Sequence, residues 1–241
     1  MGRYDTALNV LNDAAVELGL ASSVDPFSST DPNWIQLVRL IKSVGRELVQ
    51  EYRWSQLQRE AMIATVLGQA EYSLPADFVS MVPQTGWHRT SEWPWRGPID
   101  GEAWQYIQAT DMASVVGVYA RFWADKIYLH PTPTADGDSL AYEYASRYWV
   151  VPLGQTAPTA DEPTATTDTL WFDPLLLVAA LKLKWKEANG FDTTAVLAER
   201  NRALNMARSH QSPKPVLHLG HPEPLVRFLD LSNAPDSDYG P

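Results

Sequence analysis

The sequence predicts an α+β fold: a helical bundle made from N- and C-terminal helices, an antiparallel β insertion between them, and an extended C-terminal arm. Three observations predict it. Apolar residues recur at helical spacing near both ends of the chain, strand alternation with tight turns fills the middle, and the last thirty residues are apolar yet broken by prolines. The expected division is a helical body of residues 1–57 and 170–211, a β insertion of 58–150, a loop of 151–169 and an arm of 212–241.

The first helix is expected from about Tyr4 to Leu20, where Tyr4, Ala7, Leu8, Leu11, Ala14, Ala15 and Leu18 follow the i, i+3, i+4, i+7 rule. A Ser-, Asp- and Pro-containing loop follows, from Ala21 to Thr30. Asp31-Pro32 then supplies an N-cap and a first-turn proline for a second helix running to about Trp54. Trp34, Leu37, Val38, Ile41, Gly45, Leu48, Val49 and Tyr52 form its apolar face, and the two helices read as an antiparallel hairpin.

The period changes near Gln58. Ala61–Leu67 and Glu71–Leu74, joined through Gly68-Gln69, read as a β-hairpin. Gly86–Gly101, with three tryptophans among prolines and glycines, reads as an irregular aromatic segment, and Glu102–Ala109 as a short helical turn. Val118–Trp123 and Ile127–His130, joined by Ala124-Asp125-Lys126, predict a second hairpin. Asp136-Gly137-Asp138 is a turn into a strand in which Leu140, Tyr142 and Tyr144 alternate with Ala141, Glu143 and Ala145. Val151–Asp168 lacks apolar periodicity, and a structureless stretch of that length is commonly functional or a linker. Asp173-Pro174 caps a helix that continues over Leu176–Ala188 and stops at Asn189-Gly190. Asp192 caps the last one, to about His210, with Val196, Leu197, Ala203, Leu204 and Ala207 inward.

In the arm, prolines such as Pro213, Pro215, Pro222 and Pro224 exclude a long helix or a central strand. Between them stand Val216, Leu217 and Leu219, then Leu225, Val226, Phe228, Leu229 and Leu231. Solvated tails are poor in such side chains, so the arm needs a surface to lie on. Apolar burial alone does not offset the backbone ordering it requires, so main-chain hydrogen bonds to a partner, or several copies acting together, are expected as well. Another subunit is the expected surface.

Composition narrows function. The formal net charge of −10 argues against a nucleic-acid binder, which needs clustered Lys and Arg; an acidic wall would instead let DNA pass without sticking. Lys182, Lys184, Lys186, Arg200, Arg202 and Arg208 are spread around the late helices and read as a salt-bridged solvated face. With no cysteine there is no disulfide framework and no thiolate ligand or nucleophile. Neither an apolar signal region nor a membrane-length apolar run is present, so a reducing cytoplasm is the expected place of synthesis and assembly. No phosphate-cradling loop or nucleophile elbow appears. His218 and His221 offer two imidazoles without a thiolate, with only Glu223 and Asp230 near, and read as residues of an extended peptide. No cofactor, metal or catalytic residue is assigned. Two alternatives stay open. Glu92 or Glu102, near Trp93, Trp95 and Trp104, would suit a peptidoglycan-degrading glycosidase. Trp87, Trp93 and Trp95 would suit a carbohydrate-binding platform, or else a seam with a neighbouring subunit or a tail protein.

The helical hairpin is followed by Glu71-Tyr-Ser-Leu-Pro-Ala-Asp-Phe78. Then come Phe122-Trp-Ala-Asp-Lys-Ile-Tyr-Leu-His-Pro-Thr-Pro133, Asp136-Gly137 and Leu140-Ala-Tyr-Glu-Tyr144. This order resembles the head-tail adaptor (head-completion, or tail accessory) proteins of short-tailed bacteriophages, over about Tyr4–Gln211. The resemblance implies a non-enzymatic virion protein at the head-tail junction. It implies a ring, usually of twelve copies, under the portal protein, with helices lining a DNA channel. C-terminal segments reach onto the portal, and the opposite face meets the tail tube or nozzle. On that reading the arm supplies portal contacts, with Leu225, Phe228 and Leu229 as anchors. Its ordering is coupled to binding, so the free chain is monomeric until it meets the portal. No membrane partner is implied.

Overall fold

The computed structural model describes residues 4–110 and 117–211. In chain order the elements are β1 (Asp5–Thr6), α1 (Ala7–Glu17), α2 (Pro32–Glu51), β2 (Gln58–Ala64), β3 (Glu71–Ser73), β4 (Phe78–Met81), β5 (Trp87–His88), β6 (Trp93–Pro94), α3 (Gly101–Ala109), β7 (Tyr119–Trp123), β8 (Lys126–His130), β9 (Ser139–Ser146), β10 (Val150–Val151), β11 (Thr169–Leu170), α4 (Pro174–Ala188) and α5 (Thr194–Gln211).

The fold is not the predicted helical bundle. Helices share it with three antiparallel sheets, and one of those sheets forms part of the helical core. The strands β1, β11 and β10 pair in that order, with Asp5 opposite Leu170 and Val150 opposite Leu170. Trp149, Val150, Leu170 and Phe172 from this sheet and its flanks pack into one core with α1, α2, α4 and α5. Each of these strands is two residues long, too short for any periodicity to register, which is why the sequence shows helices alone. Pairing of Asp5 and Thr6 also delays α1, whose N-cap is Thr6, accepting from the Asn9 amide at 3.3 Å.

The expected hairpin of the first two helices is replaced by a hub. Helix α4 is buried continuously from Leu176 to Leu183, and α1, α2 and α5 all pack on it, whereas α1 and α2 touch little. A helix that is apolar on every side lies inside its layer rather than on the surface. The Asp-Pro caps behave as expected: Asp31 accepts from the Asn33 amide at 2.8 Å and Asp173 from the Leu175 amide at 2.9 Å. Gly45 of α2 lies flat on Trp149, whose ring atoms stand 1.9–2.4 Å from where a Cβ would be.

The stretch 152–168 is not free of structure. The Asp168 carboxylate accepts from the amides of Thr164 (2.8 Å) and Ala165 (2.9 Å). Backbone carbonyls of Asp168 and Thr166 then accept from the Ala7 and Leu8 amides. These are first-turn donors of α1, which have no partner within their own helix.

A second core lies between the other two sheets. Strand β9 is central, with β2 along one edge and β4 and β5 along the other; β3, β8 and β7 form the facing sheet. Ile63, Trp95, Ile127, Leu129, Leu140 and Tyr142 fill the interior. The hairpin expected at 61–74 does not form: β2 pairs with β9 and β3 with β8, so Gly68-Gln69 joins strands of different sheets. The expected β7–β8 hairpin does form, with Ala124 and Asp125 at φ of 49° and 59° in its turn.

Burial pushes the phenols of Tyr142 and Tyr144 up to about 12, helped at Tyr144 by its hydrogen bond to Asp77. Both phenols are neutral, folded or unfolded, below pH 10. Above it the unfolded chain loses the protons first, so stability is expected to hold up to about pH 10 and fall between pH 10 and 12. Urea midpoints measured alongside tyrosinate absorbance test this; a midpoint unchanged at pH 11.5 (about one and a half units above the ordinary tyrosine value) would contradict it.

Candidate functional site

The three tryptophans of the predicted aromatic patch do not share one surface. Trp95 is 4% exposed; its indole N–H donates to the Ala141 carbonyl at 3.2 Å. It lies against Gly86 and Gly97, where a Cβ would come within 3 Å of the ring. Trp93 is half-buried and stacks on His88 with ring centroids 5.5 Å apart, while Trp87 is 46% exposed. Trp87 is therefore the member of this set that presents the most open ring. The carboxylates Glu92 and Glu102 are both exposed but belong to separate elements, the β5–β6 turn and the first turn of α3, and Trp104 is buried. No hydrogen bond or ion pair joins the two among the described residues.

The arm residues Val216, Leu217, Leu219, Leu225, Val226, Phe228, Leu229 and Leu231 lie outside the described residues, as do His218 and His221. Among the described residues no cluster of three or more His, Asp and Glu is placed to hold a metal ion, and no helix is long and apolar enough to cross a membrane.

The structure brings together a surface that the sequence reading missed. A groove of about 670 Å³ runs between α1, α4 and α5. Val16, Leu175 and Met206 stand in it at 61%, 69% and 57% exposure, one from each helix. Asp13, Glu17, Asp173 and Glu199 line it with carboxylates, beside Arg202 and His210. Beneath it the buried Lys182 ammonium pairs with Glu17 and, at 2.8 Å, with Glu199. Burial works against that ammonium charge, but the two carboxylates outweigh it and raise its pKa. Val16 stands off the apolar stripe of α1 as a lone exposed residue, whereas α4 is apolar on every side and gives Leu175 no such mark.

A second missed feature is the outer face of α2. Ile35, Arg39, Lys42 and Arg46 occupy i, i+4, i+7 and i+11 and so share one side. Glu162 approaches Lys42 at 3.5 Å and Arg46 at 3.3 Å, while Arg39 is exposed. Of the late basic residues expected on a salt-bridged solvated face, Lys184 pairs with Glu47 at 2.7 Å and Arg200 and Arg208 both reach Glu51, but Lys182 is buried rather than solvated.

A third surface lies between α3 and the β7–β8 hairpin. Trp104, Arg121, Trp123, Tyr128 and His130 enclose about 390 Å³ there, with Trp123 61% exposed under the Arg121 guanidinium. Aromatic rings with polar edges of this kind suit protein contacts.

The family model of the SU10 adaptor protein matches residues 5–216. The match takes in every strand and helix described above. Among curated proteins, no sequence matches the chain.

Proposed function

Since the chain belongs to the SU10 adaptor protein family, a family of phage adaptors, we propose that it is the head-to-tail adaptor of a short-tailed phage virion. It forms a ring, of twelve copies, beneath the portal protein, extends the DNA channel and carries the platform for the tail tube or nozzle. Its work is structural: it binds and positions other proteins and turns over no substrate.

The observation that carries this reading is the family match across almost the whole folded body, continuing a few residues past the end of α5. Two sequence properties support it. The apolar, proline-broken segment from Val216 to Leu231 has the composition of a strap that orders on a partner, and Leu225, Phe228 and Leu229 are its anchors on the portal. The net charge of −10 suits a wall past which DNA slides. The aromatic surfaces around Trp87 and Trp123 are the candidate contacts for the tail protein.

Truncation after Gln211 tests the reading. The remaining body keeps both cores and is expected to fold with an unchanged urea midpoint. It is expected to lose portal binding by more than a hundredfold, since about eight large apolar side chains, the three anchors among them, at roughly 2 kcal/mol each go with the arm. Portal binding by the truncated chain at full strength would remove the arm from the mechanism. Imaging of the full chain with portal reads out the ring directly.

A further inference from the structure

We propose that the α1/α4/α5 groove is one half of the subunit seam, and that the other half is the outer face of α2 from a second copy of this chain. This rests on the ring reading above and assigns residues to it. The groove has an apolar floor of Val178, Ala179 and Ala203; Val16, Leu175 and Met206 stand exposed around it, and its lining carries more carboxylates than cations. The α2 face has the opposite make-up. Arg39, Lys42 and Arg46 carry more positive charge than Glu162 neutralises, and Ile35 continues the face at 43% exposure. Arginine and lysine stems cover apolar surface while their heads reach charge at its edge. The stems of this face therefore fit the groove floor, and the heads fit Asp13 and the exposed edges of Glu17 and Glu199, two carboxylates shared with Lys182.

The lengths agree as well. Ile35 to Arg46 spans about 16 Å of helix, and so does the α5 wall from Glu199 to His210. No residue of α2 lines the groove, because α2 packs on α4 through Ala180 and Leu183 whereas the groove uses Leu175 and Val178. The acceptor and the inserted face are thus different patches of one chain. A contact between different patches is head-to-tail, and repetition of it closes a ring where the rotation allows.

The absence of native cysteine makes the seam testable by cross-linking. Ile35→Cys and Met206→Cys are combined in one full-length chain, assembled with portal and oxidised. The expected result is a ladder of covalent multimers from the double variant and none from either single variant. Dimers from a single variant would mean that like patches meet, and would overturn the proposal. Rings visible by imaging without any ladder would place the seam elsewhere and leave the ring reading intact; failure of the cysteine-free chain to form rings would sink both. Arg39→Glu supplies a second measurement, expected to lower ring yield about tenfold through lost charge complementarity. Normal rings with impaired DNA retention in that variant would assign the α2 face to DNA instead, against the proposal.

Discussion

Trp149→Ala is expected to destabilise the chain by about 3–5 kcal/mol, the range for truncating a fully buried large aromatic. Trp149 is fully buried, lies tilted against Phe172 with ring centroids 5.6 Å apart, and donates its indole N–H to the Asp161 carbonyl at 2.6 Å. Its backbone ties the 160 region and Trp171 to the same point. The ring fills space that helices and sheet share, so no single neighbour can collapse into the gap. The sharper form of the prediction uses Gly45. In an ordinary helix interior Gly→Ala stabilises by about 1 kcal/mol. Here the new methyl would sit 1.9–2.4 Å from the indole, and a Cβ has no rotamer with which to escape. Overpacking costs of about 1–3 kcal/mol oppose that gain, so Gly45→Ala is expected to be net destabilising. Phenylalanine at 149 lacks the benzo ring that the methyl strikes. The double variant G45A/W149F should therefore be more stable than the sum of the two single changes by at least about 0.5 kcal/mol, the level at which neighbouring sites depart from additivity. Urea midpoints of the three variants decide it. Strict additivity would mean that the helix and the indole do not compete for the same space.

Gly45 also shows how far the sequence could be read. A glycine in the middle of an apolar helical face marks a close approach, and the sequence places it there. It does not say that the approaching group is Trp149, over a hundred residues away. The long helices were legible because their caps and stripes are local: Asp31-Pro32 and Asp173-Pro174 each hold the first-turn amides expected of them. The β7–β8 hairpin was legible for the same reason, since its turn and both strands are contiguous. The bundle and the 61–74 hairpin failed because they are statements about pairing. β2 finds its partner in β9, and the two-residue strands β1, β10 and β11 find each other, through register that no window of sequence contains. The groove was illegible in a related way. Val16, Leu175 and Met206 each look like a single exposed apolar residue, which is ordinary on any surface. They become a surface only when α4 brings three helices together.

Asp77→Ala is expected to cost about 3 kcal/mol, at the lower end of the range for breaking a buried ion pair from one side. Asp77 belongs to the Glu71–Phe78 segment that carried the sequence resemblance, and the structure gives it a physical role. Its carboxylate accepts from the Tyr144 hydroxyl at 3.0 Å and the Ser146 hydroxyl at 2.5 Å, and pairs with Arg59 at 3.0 Å. Its carbonyl accepts from the Arg147 amide at 2.8 Å, while the next residue, Phe78, stacks on Phe122 and Tyr144. Arg59 in turn donates to the Pro158 carbonyl, in the loop that packs against the helical core. One carboxylate thus fixes the start of β4 against β9 and reaches, through Arg59, the loop beyond β10. Alanine would leave two buried hydroxyls without this acceptor and the Arg59 guanidinium without its carboxylate, with the Pro158 carbonyl still in place. Asn keeps an acceptor oxygen but not the charge, so D77N is expected to lose roughly half as much. Titration separates this account from simple loss of packing. The charge and hydrogen bond of Asp77 help hold the Tyr144 proton, so D77N should move a tyrosine titration from about 12 towards its ordinary value. An unmoved titration with an unchanged urea midpoint would show that the carboxylate holds neither the hydroxyl nor the strand.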